Sequence, residues 1–387
     1  MSALSKNMRR DERNQAKKSL APPIFQTATF TFDGSDDLEA YHGGETDAFF
    51  YTRYGNPTNE AAERKLALLE GAETSLLYAS GMAAVSSVFL SLLAPNARIV
   101  IPQESYRHTR DIAEGLLTRY GVRVDIPAEN TVESLEALSD GQIRVLFAEI
   151  PSNPTLRIPD IGQMAEWAQK RRARFIVDST IASPALFRPL EHGADLAVQS
   201  VTKYIGGHND VVAGAVSGGL DIIDALREQQ ALLGSILGPQ EAFLVERGLK
   251  TLELRVRRIS DTALKLAEFL EGHPRVSQVY YPGLESHPDH QRAVQYMAAF
   301  GGIVSFELDG NHGKADELVS ALQIPVLAPG FGGTESQVEH HVKMAYADIG
   351  IQGAENRGVP AGLIRYSVGL EDFEVLRDDL GEGLKKL

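Results

Sequence analysis

Between residues 60 and 217, seven short apolar runs recur, at 74–79, 98–102, 122–126, 144–150, 175–178, 195–200 and 211–217, separated by stretches long enough for helices. Runs rich in Val, Ile and Leu, without an alternating polar face, predict strands buried on both sides. Helix-length connections then imply a mostly parallel sheet covered by helices, an α/β domain. From 240 to 270, Val245, Leu249, Leu252, Val256, Ile259, Ala263, Leu266 and Leu270 alternate spacings of four and three, which predicts one long linking helix with a single buried seam. Beyond it, strands are expected at 276–280, 303–308 and 363–368 and helices at 314–322 and 373–384, a smaller α+β unit. Residues 1–55 carry Pro22, Pro23, Gly34, Gly43 and Gly44 without helical periodicity and read as an arm lying on another surface. The expected organisation is therefore an arm over 1–55, an α/β domain over 56–240 and a C-terminal α+β domain over 241–387.

The balance of 38 Lys and Arg against 52 Asp and Glu leaves a net charge of −14, which argues against nucleic-acid binding through a general basic surface. The weakly polar stretch 82–94 is far shorter than the ~20 residues that span a bilayer, so it is expected to be a core helix and no membrane partner is expected. Lys6, Arg9, Arg10, Asp11, Glu12, Arg13 and Lys17 precede no apolar segment of secretory type, and no signal peptide is expected. With no Cys there are no disulfides or catalytic thiols, and a reducing cytoplasm is the simplest home. His287, His290, His340 and His341 lack a framing carboxylate pattern, so no metal is expected. The glycines Gly330, Gly332 and Gly333 lack the context of a dinucleotide fingerprint. Arg255, Arg257 and Arg258 read as a solvated or interface face.

Asp178 closes one strand-like run, where open α/β sheets place their ligands, and Lys203 follows the next, beside the hydroxyls of Ser200 and Thr202. Alone, the aspartate reads equally as a helix cap and the lysine as a solvated loop charge. Together they fit pyridoxal 5′-phosphate (PLP), whose aldehyde takes a Schiff-base lysine and whose ring nitrogen takes a carboxylate. The order strand, Ser80-Gly81-Met82, helix supplies backbone N–H groups for a phosphate.

Tyr51-Thr52-Arg53-Tyr54-Gly55-Asn56-Pro57-Thr58, Ser80-Gly81-Met82-Ala83, Pro151-Ser152-Asn153-Pro154, Val177-Asp178-Ser179-Thr180 and Ser200-Val201-Thr202-Lys203-Tyr204-Ile205-Gly206-Gly207-His208-Asn209-Asp210 stand in this order. Arg247-Gly248-Leu249-Lys250-Thr251-Leu252 and Tyr281-Pro282-Gly283-Leu284-Glu285-Ser286-His287-Pro288 follow. The chain resembles the Cys/Met-metabolism family of PLP-dependent enzymes through these motifs. The resemblance implies a fold-type-I, aspartate aminotransferase-like architecture. It also implies Lys203 as the Schiff-base residue, Asp178 on the ring nitrogen, and Gly81, Met82, Ser200 and Thr202 on the phosphate. Tyr106 would stack on the ring, Asn153 would steady ring oxygen and substrate carboxylate, and Arg365 would grip that carboxylate with its planar guanidinium. Tyr51 and Arg53 resemble the pair that family members donate to a neighbour's phosphate, which implies a homodimer with shared sites, in a tetramer.

Within the family the resemblance runs nearest to the cystathionine γ-synthase branch, plant type, without the long N-terminal extension. The chain departs from the family pattern at Ser179, Gly330 and Ala345-Tyr346, while His108 stands where plant-type members carry Lys. The expected substrates are small amino acids: a γ-replacement on an activated homoserine ester by cysteine. A γ- or β-lyase of sulfur amino acids and a non-catalytic PLP-binding relative are the alternatives. The leaving group and the nucleophile stay open, because the loops around His108, Pro329 and Gly330 depart from the pattern.

Overall fold

A computed structural model describes residues 19–138, 141–309 and 312–387. The charged residues from Lys6 to Lys17, and with them the start of the expected arm, lie outside the described residues. The rest of the arm runs exposed, but it is not free of helix. Helix α1 (Ser35–His42) buries none of its residues, which is why no apolar period announces it. Its Tyr41 stacks on Phe50 at 5.8 Å, part of a small aromatic cluster with Phe32 and Tyr54.

Chain entry into the main body is set by local chemistry. Asn56 caps α2 (Pro57–Glu70) by accepting the Thr58 N–H at 2.9 Å, and Pro57 fits the first turn, where no N–H partner is needed. The seven apolar runs form one sheet of β1 (Thr74–Tyr78), β2 (Arg98–Val100), β3 (Arg123–Asp125), β4 (Val145–Glu149), β5 (Arg174–Asp178), β6 (Leu196–Gln199) and β7 (Gly214–Gly218). The order is β1-β7-β6-β5-β4-β2-β3, with β7 antiparallel to both neighbours and the remaining pairs parallel. Successive strand residues point to opposite faces. Leu76, Phe147, Ile176 and Val198 enter one apolar layer with α3 (Gly81–Leu92), while Leu77, Leu146, Phe175 and Val177 enter the other. Helix α4 (Arg107–Gly115) follows β2.

The expected single helix over 240–270 is two: α5 (Pro239–Leu249) and α6 (Leu252–Glu271). The seam residues keep their spacing through the break, so periodicity could not reveal it. Tertiary contacts cause it. A Cβ at Gly248 would lie 2.4 Å from the Ile205 carbonyl oxygen, so the helix is pressed onto that loop. Arg255 folds back to donate to the carbonyls of Tyr204 (2.7 Å) and Gly248 (2.8 Å). It is therefore buried, not on a solvated face as expected, and burial lowers its pKa to about 10; Arg257 and Arg258 remain exposed.

The C-terminal part forms a five-stranded sheet, β10-β11-β12-β9-β8, from β8 (Val276–Tyr280), β9 (Ile303–Leu308), β10 (Val326–Leu327), β11 (Gln337–His340) and β12 (Ile364–Ser367). Strands β10 and β11 were not foreseen: one is two residues long and exposed, the other carries a single aliphatic residue. An ion pair ties this part to the loop after β4. Asp289 accepts from Arg157 Nε at 2.5 Å and from the Ile158 N–H at 3.0 Å, and pairs with Arg292. Burial pushes the Asp289 carboxyl up, but the Arg157 hydrogen bond, the Ile158 N–H and both arginine charges outweigh it and hold the group below the usual range. Asp289→Ala is expected to destabilise the fold by about 2 kcal/mol, reduced from a fully buried pair because Arg157 is 36% exposed. Because the folded pKa is depressed, the stabilisation is complete above the ordinary value of ~3.9 and is lost as pH falls through the folded one. Urea titrations should show the gap between variant and parent closing in acid; a gap independent of pH would refute the ion-pair account.

Candidate active site

At the carboxyl ends of the parallel strands lies a cavity of about 270 Å³. Its walls include Ser80, Gly81, Met82, Tyr106, Asn153, Asp178, Ser200, Thr202, Lys203 and Arg365, so nine of the eleven expected site residues, together with the helix cap Ser80, meet in one chamber. Tyr51 and Arg53 do not. Both are exposed, and the Arg53 guanidinium lies over the Tyr54 ring at 5.1 Å and the Tyr51 ring at 5.6 Å.

Each wall follows from its segment. Ser80 caps α3 by accepting the Ala83 N–H at 3.0 Å, leaving the Gly81 and Met82 amides in the first turn, where a helix has no partner of its own to offer. Gly81 is required by close approach: a Cβ there would lie 2.9 Å from the Ser200 Cβ. The Thr202 hydroxyl is engaged by Ala213 in both directions, with its carbonyl oxygen at 3.2 Å and its N–H at 3.0 Å.

Asp178 ends β5 almost fully buried. Its Oδ1 accepts both the Thr180 hydroxyl (2.6 Å) and the Thr180 N–H (2.9 Å), and the same hydroxyl accepts the Ser200 N–H at 2.8 Å. Burial raises the Asp178 pKa against the pull of these bonds. Lys203 sits on the turn after β6. Burial, followed by the Arg365 charge, lowers its pKa, and its Nζ lies 5.0 Å from the Phe331 ring centre. Phe331 reaches that place because Gly332, at φ +80°, lets the loop lie against the Tyr204 backbone, where a Cβ would be 2.6 Å from the Tyr204 nitrogen.

Tyr106 immediately precedes α4, 40% exposed, with its N–H donated to Glu149 Oε2 at 2.6 Å. Burial, then the Glu149 charge, raises the phenol's pKa. Glu149 itself ends β4 in register with Asp178, and burial followed by the Asp178 charge pushes its carboxyl well above the usual range. Arg365, on β12, donates to Asn153 Oδ1 at 3.3 Å and to the carbonyls of Pro329 (3.2 Å) and Gly330 (3.3 Å). Thr180, Glu149 and Phe331 were missed by sequence reasoning. Thr180 and Glu149 had a usable signal, each being next to or level with the strand-end Asp178, whereas Phe331 had none.

Among the described residues, no group of three or more His, Asp or Glu side chains is arranged to hold a metal ion. His340 is bonded instead to Asp316 (2.8 Å) and the Ala361 carbonyl (2.7 Å). No helix of the described residues is long and apolar enough to cross a membrane.

The family model of Cys/Met metabolism PLP-dependent enzymes matches residues 4–385. The chain is 40% identical over 370 residues to the chloroplastic cystathionine γ-synthase 1 of Nicotiana tabacum, covering 95% of this chain and 68% of that protein. It is 38% identical over 369 residues to the L-methionine γ-lyase of Pseudomonas putida, covering 95% and 93%. The crystal structure of cystathionine γ-synthase from Xanthomonas oryzae pv. oryzae in complex with cystathionine superposes with a TM-score of 0.94 at 35% identity, covering 100% of this chain and 98% of that one.

Proposed function

Because the chain belongs to the family of Cys/Met metabolism PLP-dependent enzymes, we propose that it replaces the γ-substituent of an activated homoserine ester with the thiol of cysteine, forming cystathionine. The observation that carries this reading is a single chamber joining Lys203, Asp178, Tyr106, Asn153 and Arg365 in a chain that matches cystathionine γ-synthases along its length.

The donor set fits PLP. Lys203 would take its aldehyde, and Asp178, held by Thr180, would face its ring nitrogen. The first turn of α3 with Ser200 and Thr202 would hold its phosphate, and the contact that excludes a Cβ at Gly81 gives that cradle its shape. When bound, PLP supplies an electron sink for the charge that develops at the substrate α-carbon.

The chain's own residues supply the rest. Arg365 and Asn153 would hold the α-carboxylate, fixing which bond faces the cofactor ring. Lys203 Nζ, made less basic by burial, would remove the α-proton and later return it. The Tyr106 phenol, kept protonated by burial, would present a proton donor at the mouth of the chamber. The γ-carbon loses its oxygen substituent and gains the cysteine sulfur, and the thiol proton leaves with the released acid. Elimination to a 2-oxo acid and ammonia is the second reading, favoured by the likeness to methionine γ-lyase. Incubation with acetyl, succinyl and phosphoryl homoserine, with and without cysteine, separates the two by product mass. Cystathionine formed only with cysteine supports replacement, and a 2-oxo acid formed equally in both refutes it.

Sites shared between subunits are part of the proposal, because Tyr51 and Arg53 stand exposed and outside their own chain's chamber. Loss of a guanidinium facing a phosphate should weaken cofactor binding roughly ten- to a hundredfold in Arg53→Ala. Mixing Arg53→Ala with Lys203→Ala subunits should restore part of the activity, since some hybrids collect both lesions in one site. Absence of recovery despite proven subunit exchange would assign Arg53 to its own chain. The lack of Cys supports a reducing compartment, the cytoplasm.

A further inference from the structure

Arg365 has a carboxylate behind it. On the neighbouring strand β11, Glu339 is its register partner, with Glu339 Oε1 3.2 Å from Arg365 Nη2. The same oxygen accepts His341 Nδ1 at 2.5 Å. All three side chains are almost fully buried: Glu339 is 1% exposed, His341 2% and Arg365 3%. Glu339 Oε2 and Arg365 Nε have no hydrogen-bond partner among the described residues.

Orientation of Arg365 does not require this charge. Neutral oxygens of Asn153, Pro329 and Gly330 already accept from its guanidinium. What Glu339 adds is a negative charge, in a place where solvent screens it poorly. A substrate carboxylate arriving on the same guanidinium would meet a second carboxylate, and like charges sharing a site repel. His341 does not cancel the effect. Burial lowers its pKa against the pull of Glu339, so the imidazole anchors the carboxylate while staying neutral. The charged and titratable groups around it are Glu339, Arg365, His340 and the Tyr346 ring at 5.8 Å.

We propose that Glu339 is a positioning residue that sets, through Arg365, how tightly the enzyme holds the α-carboxylate of its amino-acid substrate. The inference rests on the reading of Arg365 as the carboxylate-binding residue. Its consequence is a deliberately loosened grip, which speeds release of a product that carries the same carboxylate as the substrate.

The geometry supplies a clean variant. Oε1 serves both partners and Oε2 neither, so Glu339→Gln can keep both contacts through its amide oxygen while deleting the charge. The holoenzyme is titrated with glycine and with glycinamide, which lacks the carboxylate, following the cofactor's visible absorbance. Glu339→Gln should bind glycine about tenfold tighter and leave glycinamide unchanged, with KM for the amino-acid substrate falling more than kcat changes. Glu339→Asp, which draws the charge back by one methylene, should shift glycine in the same direction by a smaller factor, and it serves if the Gln variant does not fold. Unchanged or weaker glycine binding in a folded variant, or an equal shift for glycinamide, overturns the proposal, since a merely structural role would loosen the site. Arg365→Ala separates the two claims. If it leaves the preference for glycine over glycinamide intact, the reading of Arg365 has failed; if it erases that preference while the Glu339 variants change nothing, only the present inference falls.

Discussion

Lys203→Ala is expected to abolish turnover, by at least about 10⁴-fold, and to remove the covalent attachment of the cofactor. The loss is large because two tasks meet on one nitrogen. Lys203 Nζ is the amine that would bind the aldehyde and the base that would move the α-proton. Among the described residues it is the only lysine lining the cavity. Burial and the Arg365 charge have already lowered its pKa, so a larger share is the free amine at neutral pH than in a solvent-exposed lysine. Borohydride treatment followed by peptide mass analysis checks the attachment, and a product assay checks the rate. A variant that remains yellow, with a reducible link on another lysine, would move the chemistry elsewhere.

Asp178→Ala is expected to cost about 10²–10³ in kcat while PLP still binds. The carboxylate lies deep and is fixed by two bonds from Thr180, so it would present a rigid negative charge to the ring nitrogen without reorganising. Alanine leaves that nitrogen without a partner and weakens the sink. Asp178→Asn should fall in the same range, because it retains shape without charge. Near-parental rates in either variant would take Asp178 out of this role. The neighbouring Glu149 is not a ready substitute, since its carboxyl is already engaged by the Tyr106 N–H at 2.6 Å.

Legibility in the sequence followed the physics of each segment. Asp178 and Lys203 could be found because a buried parallel strand writes itself as an unbroken apolar run, and its carboxyl end is where ligands bind. The seven strands of the large sheet were legible for the same reason. Glu339 was not. Its strand holds a single aliphatic residue, Val338, and its meaning arises only when antiparallel pairing sets it opposite Arg365. The break between α5 and α6 was hidden by a seam that continues across it, and its cause lies in the Ile205–Gly206 loop far away in sequence. Helix α1 escaped notice because a helix that buries nothing has no period to show.

The one reversed strand of the large sheet has a consequence for how the chain is made. Strand β7 lies between β1 and β6, pairing Thr74 with Gly218 and Tyr78 with Gly214. On a ribosome, β1 and the Ser80–Gly81 turn emerge long before the strand they must lie against, and loop closure over that separation is slow. Until Gly218 is out, β1 lacks the strand it pairs with, and its edge and that of β6 stay unpaired, the kind of surface that nascent chains aggregate through. Truncations ending before β7 should therefore be insoluble and unable to bind the cofactor, although Lys203 is already present in them. A chaperone that shields this stretch would affect yield far more than it affects the activity of the finished enzyme.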